Sequence, residues 1–191
     1  MKRIVSFIVV LAVAMCGMTQ VMAQKSITKE AKKVEREIKK QERLAQDAVE
    51  GQEEFNAAVQ AINNQSFVLE ANNIQPIFYV NSNTNFVSLN DGQAMVQIAS
   101  NSPYPGPNGL GGITVQGSAS NIQTKQDDKG NVYLNMNVQG VFISATVSLM
   151  LTNGTNNATV TVDPNFSGRN LRMTGTLLPY SQSNIFQGTT Y

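Results

Sequence analysis

Histidine and tryptophan are absent from this 191-residue chain, and Cys16 is its single cysteine. Without an imidazole there is no Ser-His-Asp or Cys-His machinery, and no side chain with an ordinary pKa near neutrality to serve as a general base. Zinc sites built from cysteine and histidine are excluded with them. Charge is scarce beyond residue 65. Residues 66–191 hold only Glu70, Asp91, Asp127, Asp128 and Asp163 as acids and Lys125, Lys129, Arg169 and Arg172 as bases. No basic face interleaved with aromatics is available for nucleic acid.

What is present begins with MKRIVSFIVVLAVAMCGMTQVMAQ. Lys2 and Arg3 precede an apolar run, Ile4 to Met15, that is too short to span a bilayer comfortably. Val21-Met22-Ala23 offers small or tolerated residues at the two positions a signal peptidase reads. The sequence thus predicts a secretory signal over residues 1–23, cut between Ala23 and Gln24, and an exported protein of the periplasm or outer membrane. Cleavage there leaves a chain without cysteine, stabilised without disulfides in an oxidising compartment. The alternative is lipidation of Cys16, against which bulky Met15 stands where a small residue is wanted.

Residues 25–65 have no proline and many strong helix formers. Ile27, Ala31, Val34, Ile38, Ala45 and Ala48 recur at heptad spacing, interrupted by Gln41. Residues 25–43 carry eight bases and four acids, whereas residues 44–65 carry four acids and no base. Positive charge at a helix N-terminus opposes the macrodipole. The expected element is therefore a charged helical tether over residues 24–50, with membrane-surface contact through residues 25–43 as its functional reading. Gly51 is expected to break it. Beyond, Phe55, Ala58, Val59 and Ile62 form a tighter apolar face able to dock on a domain.

From Ser66 the period changes to two. In NVYLNMNVQG, Val132, Leu134, Met136 and Val138 face one way; in VFISATVSLML the alternation runs from Val141 to Leu151. Turn signals separate such runs at Asp91-Gly92, at residues 127–131, at Asn153-Gly154 and at Asp163-Pro164-Asn165. The sequence predicts an α+β protein: an N-terminal helical segment, then over residues 51–191 a mainly antiparallel β domain of about nine strands, a sandwich or a lipocalin-like barrel. A membrane-spanning barrel is disfavoured. Counting back in twos from Tyr191 gives Thr189, Gln187 and Ile185, which is no lipid-facing series.

One stretch looks like a site: SPYPGPNGLGGITVQG, residues 102–117. Phosphate loops place their glycines before a helix. Here an alternating strand follows, no lysine follows the glycines, and the last glycine of the dinucleotide spacing is missing. The stretch reads as a strand-to-strand connection in which glycines permit positive φ and prolines stiffen the approach. As a ligand loop it would offer Tyr104 and Asn108.

Elsewhere the chemistry is thin. Four of the five acids sit in turns, where aspartate serves the backbone. Asp127, Asp128 and Asn131 are too few for a calcium loop, and nothing in the sequence asks for a metal or cofactor. A carboxylate-based glycan hydrolase or lyase needs two converging acids and remains the alternative to a non-catalytic protein. The abundant Asn, Gln, Ser and Thr of residues 66–191, eighteen asparagines among them, suit a neutral hydrogen-bonding partner: an envelope protein, a glycan or a small molecule.

The segments FVLEA, NFVSLNDGQAMVQIA, GPNGLGGITVQG, GVFISATVSLML and RMTGTLLPYSQSNIFQG, behind a signal peptide and a Lys/Glu-rich helix, together resemble the DUF4251 family of exported Bacteroidetes proteins. The resemblance covers about residues 50–191. It implies an envelope protein, supplies no catalytic residue to carry over, and finds in Met15 a departure from the lipobox of some relatives.

Overall fold

A computed structural model describes residues 2–75, 80–100, 104–166 and 169–190, with side chains described from residue 32 onward. Cys16, Ala23 and Gln24 therefore lie outside the described side chains. Two compact units divide the chain, Met1–Ala48 and Val49–Tyr191. Helix α1 (Lys2–Asn63) supplies the whole of the first and the opening of the second.

Within the first unit every described side chain is exposed, the apolar Val34, Ile38 and Leu44 included. Lys39 and Glu35, one turn apart, form an exposed ion pair at 2.8 Å.

Helix α1 does not break at Gly51. A Cβ there would stand 2.7 Å from the carbonyl oxygen of Gly154, so glycine is required for close approach and the helix runs on. Past it, Phe55, Ala58 and Ile62 of the expected docking face are buried and Val59 is half-buried against them, while Ala61, outside that expectation, is buried as well.

Among the described residues eight antiparallel strands follow: β1 (Phe67–Gln75), β2 (Phe86–Asn90), β3 (Gln93–Ile98), β4 (Ile113–Gln126), β5 (Val132–Gln139), β6 (Ser144–Leu151), β7 (Asn157–Pro164) and β8 (Leu171–Pro179). Each pairs with the next, and β8 returns to β1 through Leu177↔Leu69 and its neighbours, closing a barrel. Of the sandwich and the barrel, the chain adopts the barrel, with eight strands where about nine were expected. Closure needs strong local twist. Register shifts supply it between Ala71 and Asn73 on β1 and between Ser120 and Gln123 on β4, where Asn121 takes a φ of 52°.

Alternation sets the two faces. Val132, Leu134, Met136 and Val138 of β5 and Ala145, Val147, Leu149 and Leu151 of β6 point inward and are buried. They join Phe67, Leu69, Leu89 and Met173 and the helix residues Phe55 and Ile62 in one hydrophobic cluster. An eight-stranded barrel is just wide enough for its own side chains to fill. In up-and-down order, the α1–β1, β2–β3, β4–β5 and β6–β7 connections share one end, with the helix face over it. The other four connections share the opposite end.

Alternation from Val141 predicts that it points inward with the β6 row, yet it is 89% exposed and β6 starts only at Ser144, because the turn after Gly140 offsets the chain. Asp163-Pro164, read as a turn, instead ends β7, and the turn falls at Asn165 and Phe166.

Candidate functional site

The β3–β4 connection contains the proline- and glycine-rich stretch, and Asn108 organises it. Its Nδ2 donates to the Ile98 carbonyl at 3.1 Å and to Thr114 Oγ1 at 3.3 Å. Its Oδ1 accepts from the Leu110 and Gly112 N–H groups at 2.9 and 3.0 Å. Gly109 and Gly111 take φ values of 76° and 77°, the left-handed geometry that lets the loop fold back over this amide. Asn108 is thus buried and engaged within the protein, while Tyr104 of the same loop is 78% exposed. The two residues singled out in the sequence share a loop but present different faces of it.

A polar network missed by sequence reading lies beside the loop. Gln97, on the outer face of β3, is fully buried. Its Nε2 donates to the carbonyls of Thr84 and Phe186 at 2.9 and 2.8 Å, and its Oε1 accepts from Thr114 Oγ1 and the Gly188 N–H at 2.8 Å each. The segment after the 3₁₀ turn Tyr180–Gln182 is thereby strapped over the outside of the barrel. Phe186 N–H donates to the Asn83 carbonyl at 2.7 Å, Thr189 N–H to the Asn108 carbonyl at 3.1 Å, and Asn184 N–H to Glu70 Oε1 at 3.0 Å. This strap covers Phe86 and Gln97, which simple alternation would leave in water.

The five acids are spread over the barrel. Asp91 and Asp127-Asp128 sit in the β2–β3 and β4–β5 turns, Asp163 near the far end of β7, and Glu70 on β1 beneath the strap. Asp127 accepts from the N–H groups of Lys129 and Asn131, from Asn131 Nδ2 and from the Tyr133 hydroxyl. The Asn131 side-chain hydrogen bond, foremost, holds its carboxyl below the usual range, and the same carboxylate raises the Tyr133 phenol. Among the described residues, no group of three or more acids or cysteines gathers as a metal site. Among them, too, no helix is long and apolar enough to cross a membrane.

One arrangement with room for a ligand is an open cleft of about 410 Å³ on the outer face of β3, β4 and β5. Gln93, Gln116, Ser118 and Gln139 line it, with Val141 and Phe142 of the β5–β6 turn and Thr190 of the strap. Register explains the row: Gln93 pairs with Ser118, Met95 with Gln116, and Ser118 in turn with Gln139. Among the described residues, no charged side chain lines it. Gln93 Nε2 reaches Ser118 Oγ at 3.3 Å and Ser144 Oγ donates to Gln139 Oε1 at 2.9 Å. The Gln116 amide is left without a partner among the described residues. The Phe142 ring, 61% exposed, stands at the edge. No sequence signal marked this cleft, since its polar groups come from three strands and the terminal segment.

A helix-capped, closed antiparallel barrel with its polar groups on the outer face defines the class of molecule. The chain belongs to the DUF4251 family: a model described as Domain of unknown function (DUF4251) matches residues 49–177. Among solved structures it is similar to a DUF4251 family protein from Bacteroides eggerthii, with 48% identity and a TM-score of 0.62 over 73% of this chain and 96% of that one. No curated protein matches the chain.

Proposed function

We propose that this chain is a non-catalytic, exported envelope protein that uses its barrel as a rigid support and binds a neutral glycan or similar hydroxyl-rich small ligand in the outer cleft. The observation that carries the reading is the composition of that cleft: three glutamine amides and two hydroxyls, no charge, and an aromatic ring at the edge. Amides donate and accept at once, as a sugar hydroxyl does, and the face of an aromatic ring offers an apolar surface to a pyranose. Export rests on the Lys2-Arg3 start, the apolar run after it and the Ala23-Gln24 junction.

Calorimetric titration of the processed chain with a panel of neutral oligosaccharides tests the reading. Binding of at least one member is expected, weakened about tenfold or more by Phe142→Ala and by Gln116→Ala, with no product formed. Binding indifferent to both substitutions would move the site elsewhere. Sugar release abolished by Glu70→Gln would install the carboxylate hydrolase or lyase in its place. Mass spectrometry of the envelope-purified protein is expected to find Gln24 at the N-terminus, and an acylated Cys16 would replace that expectation.

A further inference from the structure

Among the described residues, the helix of the first unit carries an exposed apolar seam with nothing packed on it. Val34 and Ile38 are 57% and 50% exposed. With Ile27, Ala31, Gln41, Ala45 and Ala48 they fall four and three residues apart, the a and d positions of a heptad, Ile38 at a and Val34 at d. Over residues 27–48 the positions flanking that seam, e and g, are Thr28, Glu35 and Glu42 on one side and Glu30, Glu37 and Leu44 on the other, four acids and no base. The bases, Lys32, Lys33, Arg36, Lys39, Lys40 and Arg43, occupy b, c and f, away from the seam.

This order of charges chooses among the occupants of the seam. A second copy of the same helix would set Glu against Glu, whether the two ran parallel or antiparallel. A helix lying in an anionic membrane surface carries its bases at the border of the apolar face, where they meet headgroups. Here acids hold most of that border and no base does, so the basic residues and the apolar stripe cannot engage one such surface together. A helix whose own seam is flanked by Lys or Arg meets both requirements. The Lys39–Glu35 pair is exposed at both ends and competes weakly with such a partner.

We propose that the helix over residues 27–48 is a heterotypic coiled-coil half, whose partner is an amphipathic helix bearing basic residues beside its apolar seam. Gln41 at a d position is a polar group of the kind that fixes register at some cost in affinity.

The test uses the chain as the exporting cell processes it and two synthetic helical peptides with the same Ile/Leu seam. One peptide carries Lys at every e and g position, the other Glu. At physiological ionic strength the Lys peptide is expected to bind at least about tenfold more tightly than the Glu peptide, and more weakly as salt rises. A chain carrying E35K, E37K and E42K is expected to reverse that preference. A chain carrying Val34→Asp and Ile38→Asp is expected to bind neither peptide, while its barrel melts as in the parent. Equal binding of the two peptides, binding of neither, a stable homodimer through the seam, or vesicle binding abolished by the Val34 and Ile38 changes would each overturn the proposal.

Discussion

Gln97 and Gln116 are two glutamines on the outer row of neighbouring strands, and nothing in the sequence separates them. Gln97 is buried with both ends of its amide used, whereas Gln116 faces the cleft with no partner among the described residues. Gln97→Ala would strand two carbonyls, an N–H and a hydroxyl under the strap and is expected to cost about 2 kcal/mol or more. Gln116→Ala should stay within about 0.5 kcal/mol, as open surface changes do. Urea denaturation of the two variants side by side checks this, and equal losses would mean the strap does not bury Gln97 in solution. Asp127 makes a second residue-scale case. Its carboxyl is held low in the folded state by the Asn131 side chain first and then by the N–H groups and phenol around it. A depressed folded pKa gives stability that is present above the unfolded value, about 3.9, and lost as pH falls through the folded one. Asp127→Ala should therefore lower the melting temperature at pH 6, with the gap to the parent narrowing below about pH 4. A gap independent of pH would show that the ionised carboxylate is not what the turn uses.

At the scale of elements, alternation carried most of the fold into view, because an inward-outward strand writes its period directly into the sequence. The turns at Asp91-Gly92 and Asn153-Gly154 and the docking face of Phe55, Ala58 and Ile62 were legible for the same local reason. What escaped depends on partners distant in the chain. The strap is invisible because Asn184, Phe186 and Gly188 are held mainly through their backbone N–H and C=O groups, which every sequence has. The cleft is assembled from three strands and the terminal segment. Gly51 shows the same limit: glycine in a helix reads as a breaker, and only the nearness of Gly154 explains it. Its substitution separates the two views. Gly→Ala at an open helix position gains up to about 1 kcal/mol. Here the added methyl would press on a backbone carbonyl that cannot turn aside, so Gly51→Ala is expected to destabilise by about 1–3 kcal/mol. A stabilised variant in thermal melts would return the residue to the role of simple breaker.

For the molecule as a whole, the two compact units should differ in what they contribute to stability. The described side chains of residues 32–48 are all exposed. Residues 55–62 put Phe55, Ala58, Ala61 and Ile62 into the barrel's own cluster, and without them one end of that cluster would open to water. A chain beginning at residue 49 is expected to melt within about 2 °C of the processed parent, since loss of open surface residues moves stability little. A chain beginning at residue 65 loses a buried phenylalanine and isoleucine together, each worth several kcal/mol, against a total of about 5–15 kcal/mol for a domain of this size. It should not fold cooperatively. Circular dichroism melts of the two truncations decide the point, and limited trypsin digestion should cut first among the exposed bases of residues 32–43, releasing an intact barrel. If the shorter chain melted like the longer one, the helix would be an ornament on a self-sufficient barrel. If both lost stability equally, the exposed half of the helix would have to be in contact with something that its free surface does not reveal.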